Sequence, residues 1–330
     1  MLTQNLMDAR GRRIRYLRVS VTDRCNLRCL YCMPEGLDPK MSHDRILTYE
    51  EIARVIRAGR ALGVSKIRLT GGEPLVRKGF SGFLKTMAPW EGIEDVSLTT
   101  NGVLLKSRVE KIRSAGIRRI NVSLDTLDPG KFKRIAGVDA FKEVWDGIQA
   151  AHAAGMAPIK INVVPMRGIN DDELEDFARL TFDYPFHVRF IEYMPMGAAP
   201  LEDGVGVMSG EIRRNLGRIG ELIPIEKGKN DGPAKRYAFP GAKGEIGLIS
   251  PVSRHFCHAC DRLRLTASGA LRPCLLSDKE VDLKGPMRSG CSGEDLERLF
   301  ISAVEQKPSR HHLTEAPAEA APCRMSAIGG

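Results

Sequence analysis

No apolar run in these 330 residues approaches the roughly 20 needed to cross a bilayer, so no membrane-spanning helix is expected. Met1 to Arg13 is polar and charged without an apolar centre, which predicts no secretory leader and a soluble, cytoplasmic protein. A G-x4-G-K-S/T loop is also missing, so a bound nucleotide would not sit in a P-loop. Nor does any block of basic residues alternate with aromatics. The 50 Lys and Arg are scattered along the chain against 41 Asp and Glu, and the net charge of +9 does not read as a nucleic-acid surface. A small anionic substrate suits the excess better, because particular basic residues recur beside the motifs of this chain.

The most informative stretch is Cys25-Asn26-Leu27-Arg28-Cys29-Leu30-Tyr31-Cys32, three thiols at C-x3-C-x2-C spacing directly after an apolar alternating segment. Structural zinc takes four ligands, commonly as two pairs, and no histidine lies near this loop. A disulfide is disfavoured in a reduced compartment. A four-iron cluster is normally held by four thiolates. Three local cysteines leave one iron open to a ligand that is not protein. The spacing, with an aromatic residue before the third cysteine, resembles the radical S-adenosylmethionine (SAM) superfamily, in which the open iron binds the amino and carboxylate groups of SAM.

From Ile14 to about Pro195 a β-rich segment, a polar or glycine-containing loop and a helical period recur. Strands are predicted at 14–21, 66–69, 95–98, 119–124, 159–164 and 188–191, and helices at 49–62, 104–115, 140–154 and 171–182. Six such units imply parallel strands, either three quarters of a TIM barrel or a doubly wound sheet. Unusual residues cluster just after strands, which favours the barrel. These are the cysteine loop, Thr70-Gly71-Gly72-Glu73-Pro74, Thr99-Thr100-Asn101-Gly102, Ser123 with Asp125, Lys160 with Asn162, and Glu192-Tyr193-Met194-Pro195. Gly71-Gly72 would let a ligand approach the backbone, and the tetrapeptide resembles the GGEP element of radical SAM proteins. Beyond Pro195 the repeat fades into a loop at 197–210, a helix at about 211–216 and turns through Gly244.

Three further cysteines, Cys257, Cys260 and Cys274, stand at C-x2-C-x13-C spacing. Taken alone they suit zinc, with His255 or His258 as a fourth ligand, or iron–sulfur equally well. The alternating segment Asp261-Arg262-Leu263-Arg264-Leu265 projects Arg262 and Arg264 to one face, where two guanidiniums could clamp carboxylate or phosphate. Cys291 and Cys323 have no metal-like spacing. The chain ends in an alanine-rich stretch and then Arg324-Met325-Ser326-Ala327-Ile328-Gly329-Gly330.

Two cysteine triads, the GGEP element, the Arg262-Leu263-Arg264 strand and the Gly-Gly terminus together resemble the GTP 3',8-cyclase family of molybdenum cofactor biosynthesis. The resemblance implies an α/β fold: an incomplete (β/α)6 TIM-type barrel in residues 1–200, closed by an α+β extension in 201–330. It implies two four-iron (4Fe-4S) clusters, one on Cys25, Cys29 and Cys32 that binds SAM, the other on Cys257, Cys260 and Cys274 that binds substrate. By the same resemblance Tyr31, Gly72, Ser123 and Met194 contact SAM. Arg18, Arg68, Thr99, Lys160, Arg262, Leu263 and Arg264 contact GTP, and Gly329 and Gly330 form a catalytic tail. The implied reaction is abstraction of the ribose 3' hydrogen by a 5'-deoxyadenosyl radical and closure of the sugar onto guanine carbon 8. Implied partners are an electron-donor protein and cyclic pyranopterin monophosphate synthase, with the chain a monomer or homodimer and neither nucleic acid nor membrane involved. A radical SAM enzyme acting on a peptide or other small molecule is the nearest alternative, but it calls for a larger C-terminal cysteine array. A zinc-dependent nucleic-acid module leaves the GGEP element unexplained.

Overall fold

The structure is a computed structural model, and it describes residues 6–32, 41–195, 201, 204–228, 231–311, 313 and 328. Six β/α units open the fold. Strands β1 (Tyr16–Ser20), β2 (Lys66–Thr70), β3 (Asp95–Thr100), β4 (Arg119–Ser123), β5 (Ile159–Val163) and β6 (His187–Ile191) pair in parallel, each with the next. Helices α1 (Tyr49–Ala61), α2 (Phe80–Met87), α3 (Val109–Ser114), α4 (Pro129–Ala136), α5 (Phe141–Ala153) and α6 (Leu174–Asp183) connect them, and α7 (Ser209–Leu216) follows β6. The C-terminal region then adds β7 (Ile223–Ile225), β8 (Lys235–Ala238), β9 (Glu245–Ile249), β10 (Arg262–Leu265), β11 (Ala270–Arg272) and β12 (Val281–Asp282), followed by α8 (Lys284–Arg288) and α9 (Gly293–Glu305).

The extension builds on both edges of the six-stranded sheet. β10 pairs in parallel with β1 and β9 in parallel with β6, so eight consecutive strands run parallel. Antiparallel strands β11 and β12 flank one end, and β8 and β7 the other. Among the described residues no ladder joins β12 to β7. The turns expected between residues 217 and 244 are corrected here: β7 and β8 form an antiparallel hairpin on β9. Ile223-Pro224-Ile225 is short, carries a proline and is exposed, the composition of an edge strand, and so lacks the alternation by which a half-buried strand is read.

Helix boundaries follow local chemistry. α1 starts at a capping box, Thr48 with Glu51. α3 is shorter than its apolar period suggests, because Leu105 N–H and Arg108 N–H bond three residues back and spend 102–108 in tight turns. Asp128, Pro129 and left-handed Gly137 bracket α4, which the helical period alone had not marked. α9 packs against α1, with the Phe300 ring 3.3 Å from where a Cβ on Gly59 would stand, so the C-terminal helix seals the outside of the first unit.

Period-two alternation divides every central strand. Leu17, Val19, Ile67, Leu69, Leu98, Val122, Ile161, Val163, Val188, Phe190, Leu248, Leu263 and Leu265 turn outward into a buried apolar layer shared with the helices. The opposite face is polar, which is unusual in a barrel whose interior is ordinarily filled by branched apolar residues. That face encloses the candidate site.

Candidate active site

Buried carboxylates tie the strand-end loops together. Glu73 is fully buried and accepts from Leu75 N–H at 2.9 Å, the Thr100 hydroxyl at 2.8 Å and Asn101 N–H at 2.6 Å. Burial pushes its carboxyl up to about 7 in spite of those donors. Asn101 in turn donates to Asn26 at 2.8 Å and to the Cys25 sulfur at 3.6 Å. Glu192 does the same between β6 and the loop before the second cysteine set, accepting from Ser209 N–H at 2.9 Å, Val252 N–H at 3.0 Å, Ser253 N–H at 2.9 Å and the Ser253 hydroxyl. Each carboxylate satisfies backbone donors that no strand partner reaches.

The cysteine loop rests directly on the glycine pair. Gly72 N–H donates to Thr22 O at 2.7 Å and Glu73 N–H to Arg24 O at 2.8 Å. A Cβ on Gly71 would stand 2.6 Å from Thr22 O, and one on Gly72 2.5 Å from Arg24 O. The immediate need for glycine here is therefore the approach of the chain's own backbone. On its other side the loop bonds to the end of α4, through Arg28 N–H to Ala136 O at 2.8 Å and Leu30 N–H to Ile135 O at 3.0 Å.

A cavity of about 330 Å³ opens at these strand ends, and both cysteine sets face it, Cys25, Cys29 and Cys32 from one side and Cys257, Cys260 and Cys274 from the other. Burial raises the Cys25 thiol and, with Cys32 and Asp125 adding to it, raises Cys29 well above the ordinary range. Cys260 is the exception: burial would raise it, but Lys307 and Arg262 outweigh burial and lower it. Among the described residues no three His, Cys, Asp or Glu side chains gather tightly enough to hold a metal ion as they stand. The fit to iron–sulfur rests on the donor sets themselves, two groups of three thiols turned to one enclosed space.

Between the two cysteine sets the cavity is cationic. Arg18, Arg68, Arg189, Arg262 and Arg264 line it, against the single carboxylate of Asp125. Tyr16 organises the arginines: Lys66 Nζ lies 5.4 Å, the Arg68 guanidinium 5.5 Å and the Arg262 guanidinium 5.7 Å from its ring centroid. Burial would raise the Tyr16 phenol, yet Arg68, Arg18, Arg262 and Lys66 bring it below its usual value. Burial and neighbouring cations lower Arg189 to about 9 and Arg264 to about 10, which leaves both guanidiniums charged at neutral pH. Lys160 falls to about 6, by burial first and then by Arg189, Arg119 and Arg68. Buried polar atoms on this lining that lack a hydrogen-bond partner include the Tyr16 hydroxyl, Thr99 Oγ1, Asn162 Oδ1 and Arg262 Nε. Crowded cations and orphaned polar atoms together fit a multiply charged, hydrogen-bonding anion.

Most residues singled out from sequence reach this space. Tyr31, Gly72, Ser123 and Met194 line it, as do Arg18, Arg68, Thr99, Arg262 and Arg264. Lys160 lies in a small recess with His187, Asp231 and Glu245, which shares Arg189 and Gly232 with the main cavity. The Leu263 side chain points the other way, wholly into the apolar layer, so only its backbone faces the site. Gly329 and Gly330 lie outside the described residues, as does Cys323, while Ile328 just before the glycines is buried. His255 and His258 are exposed and do not line the cavity; His311 does, its ring 5.6 Å from His255 and its Nε2 2.8 Å from Pro251 O. Sequence reasoning passed over Tyr16 and Arg189. Tyr16 was detectable, because it shares strand parity with Arg18; Arg189 shares parity with no residue of its strand that the sequence had marked, and only the structure places it on the lining beside Ile191. Sequence reasoning also did not connect Tyr31 to Asp125, whose carboxylate accepts the phenol at 2.6 Å and Val164 N–H at 2.8 Å. Burial pushes that carboxyl up to about 6.

Comparison with known proteins gives two family matches, the radical SAM superfamily over residues 19–181 and the molybdenum cofactor synthesis C family over residues 186–313. Structures of Streptococcus suis SuiB share the fold: the SAM-bound form at TM-score 0.58 and 15% identity, covering 92% of this chain and 77% of that one, and the form bound to precursor peptide SuiA at TM-score 0.63 and 16% identity, covering 93% and 68%. The GTP 3',8-cyclase of Heliobacterium modesticaldum is 48% identical over 327 residues, 98% of this chain and 100% of its own. That of Thermodesulfovibrio yellowstonii is 47% identical over 330 residues, again 98% and 100%, and that of Geobacter sulfurreducens 47% over 326 residues, 98% and 99%. With that identity sustained from end to end, and with two facing cysteine triads on a radical SAM fold, the chain belongs to the GTP 3',8-cyclase family.

Proposed function

We propose that this chain converts GTP to (8S)-3',8-cyclo-7,8-dihydroguanosine 5'-triphosphate in molybdenum cofactor biosynthesis, and that it does so in the cavity between the two cysteine sets. The observation that carries the reading is the lining of that cavity, cationic side chains between one cysteine set that follows the C-terminal end of β1 and another that precedes the N-terminal end of its parallel neighbour β10. Cys25, Cys29 and Cys32 would hold one 4Fe-4S cluster and Cys257, Cys260 and Cys274 the other. When bound, the first cluster and SAM supply one-electron cleavage to methionine and a 5'-deoxyadenosyl radical, the agent that removes the ribose 3' hydrogen.

The chain's own residues divide the remaining work. Tyr31, Gly72, Ser123 and Met194 would hold SAM against the first set. Asp125 fixes the Tyr31 phenol and leaves that ring one orientation. Arg18, Arg68, Arg189, Arg262 and Arg264 would take the triphosphate, which places base and ribose toward the thiols, with Thr99 and the Leu263 backbone beside the nucleotide. Lys160 would accept a proton as the anion enters, since burial first, and then Arg189, Arg119 and Arg68, keep its amine low. Binding so many phosphate oxygens also immobilises the ribose, and a fixed sugar facing carbon 8 lowers the entropic cost of ring closure. Gly329 and Gly330 are the catalytic tail in this reading. Residues 1–200 form the radical SAM partial barrel, which also carries part of the GTP site, and 201–330 the region with the second cluster and the Arg262–Arg264 strand.

No helix among the described residues is long and apolar enough to cross a membrane. We place the enzyme in the cytoplasm, as a monomer or homodimer, served by an electron-donor protein and followed by cyclic pyranopterin monophosphate synthase. The test is anaerobic reconstitution followed by addition of SAM, reductant and nucleotide. GTP-dependent formation of a cyclised nucleotide supports the proposal; SAM cleavage that no nucleotide alters would move the substrate to a peptide or another small molecule.

A further inference from the structure

Lys307 follows α9 by two residues and is 8% exposed, and nothing in its local sequence marks it as functional. Its Nζ donates to Arg262 O at 2.7 Å and to Pro273 O at 2.6 Å and stands against the Cys260 thiol. An ammonium has three N–H bonds and accepts none, and here three acceptors surround it. They come from two pieces of chain: Cys260 with the first residue of β10 two positions on, and the residue directly before Cys274. Arg12 serves the remaining cysteine in a parallel way. One arm donates to Cys257 O at 2.7 Å and the other to Pro308 O at 2.8 Å, the carbonyl next along from Lys307, while Asp8 holds its Nε. No ladder hydrogen bond joins Cys260 to Cys274 directly, so their separation depends on what spans them.

We propose that Lys307 is the positioning residue of the second cysteine set, fixing Cys260 relative to Cys274 and setting one positive charge against the thiolates that hold the second cluster. The inference rests on that set being an iron–sulfur site. Hydrogen bonds to cluster sulfur and nearby charge are what a protein uses to orient such ligands and to tune reduction. A cation beside the thiolates favours the reduced, more negative cluster, so its removal makes reduction harder.

The test uses full-length chains on a Cys25→Ala, Cys29→Ala, Cys32→Ala background, in which only the second set can hold iron. Lys307→Met removes all three donors, Lys307→Gln is a milder change carried alongside in case the first does not fold, and Lys307→Arg keeps charge and donors. Iron retained against a chelator and the midpoint potential of the cluster are measured in each. Retention about 10- to 100-fold weaker in the Met and Gln variants, with the midpoint shifted negative and both recovered by Arg, supports the proposal. Unchanged retention and potential in Met and Gln overturn it. So does an equal loss of iron from the first set when the same variants are made on a Cys257→Ala, Cys260→Ala, Cys274→Ala background, because that is general unfolding. If the triple-alanine background with Lys307 intact takes zinc, or no iron, the underlying reading fails before the lysine is touched.

Discussion

Alanine at position 72 places a methyl group where backbone already stands. Its Cβ would lie 2.5 Å from Arg24 O, 2.7 Å from the Arg24 carbonyl carbon and 2.8 Å from Asp23 O. Ordinary contact begins at 3.4 Å, so the Arg24 carbonyl has to retreat by 3.4 − 2.5 = 0.9 Å. The yielding atoms belong to the residue directly before Cys25, and the retreat breaks the 2.8 Å bond from Glu73 N–H. Overpacking of this kind costs about 1–3 kcal/mol and the lost hydrogen bond about 1 kcal/mol. A total of about 2–4 kcal/mol lowers the melting temperature of a chain this long by roughly 5 °C. The selective consequence matters more. Iron on the first cysteine set, counted in a chain whose second-set cysteines are alanine, should fall steeply, while iron on the second set in the complementary background stays. A Gly72→Ala chain that melts with wild type and fills its first set normally would refute the claim that this glycine exists for the cysteine loop.

Four other changes test separate parts of the site. Arg189→Met should weaken GTP binding by about 10- to 100-fold, the worth of a charge-assisted hydrogen bond of about 1.5–3 kcal/mol, and leave SAM affinity unchanged; calorimetry with each ligand separates the two. Lys160 has its folded pKa depressed to about 6 from 10.5, so the unfolded chain binds more protons between those values and stability rises with pH across that window. Lys160→Met should therefore exceed wild type in apo stability most at pH 6 and least near pH 10, and wild-type GTP binding at pH 7.5 should take up about one proton, seen as a dependence of binding heat on buffer ionisation enthalpy. Glu73→Gln turns an amide N–H toward the Asn101 N–H and should cost about 1–3 kcal/mol in denaturant unfolding. Asp125→Asn keeps the fold of the cysteine loop but loses the charged acceptor for Tyr31, and it should raise the Kd for SAM several-fold while leaving GTP binding alone.

The six-unit core was legible because each strand is buried on its outer face by Val, Ile and Leu at every second position, and each helix carries one apolar stripe. The inner face gave no such signal. Arginines and lysines on a strand read as solvated until parallel pairing sets Arg18 between Arg68 and Arg264 in one layer, which no local pattern encodes. The cysteine triads could be read from spacing, but their meeting across one cavity depends on β10 returning to the edge of β1, some 240 residues away in the chain. Gly71 and Gly72 were found for a partly different reason from the one the structure gives them. A glycine pair looks the same whether a ligand or the chain itself comes close. His255 and His258 illustrate the converse, since residues beside a metal motif need not face it, and His311 arrives from a segment with no motif at all. Lys307 left no sequence trace because its three partners are two carbonyls and a thiol, groups that any sequence could supply.

If this cavity holds GTP as proposed, radical chemistry begins at the ribose 3' carbon. The reconstituted chain should be given SAM, reductant and GTP carrying deuterium at C3', and the 5'-deoxyadenosine analysed by mass spectrometry. Transfer of one deuterium into 5'-deoxyadenosine, together with a cyclised nucleotide that has lost it, is the predicted result. Unlabelled 5'-deoxyadenosine formed at the same rate with and without GTP would contradict the account.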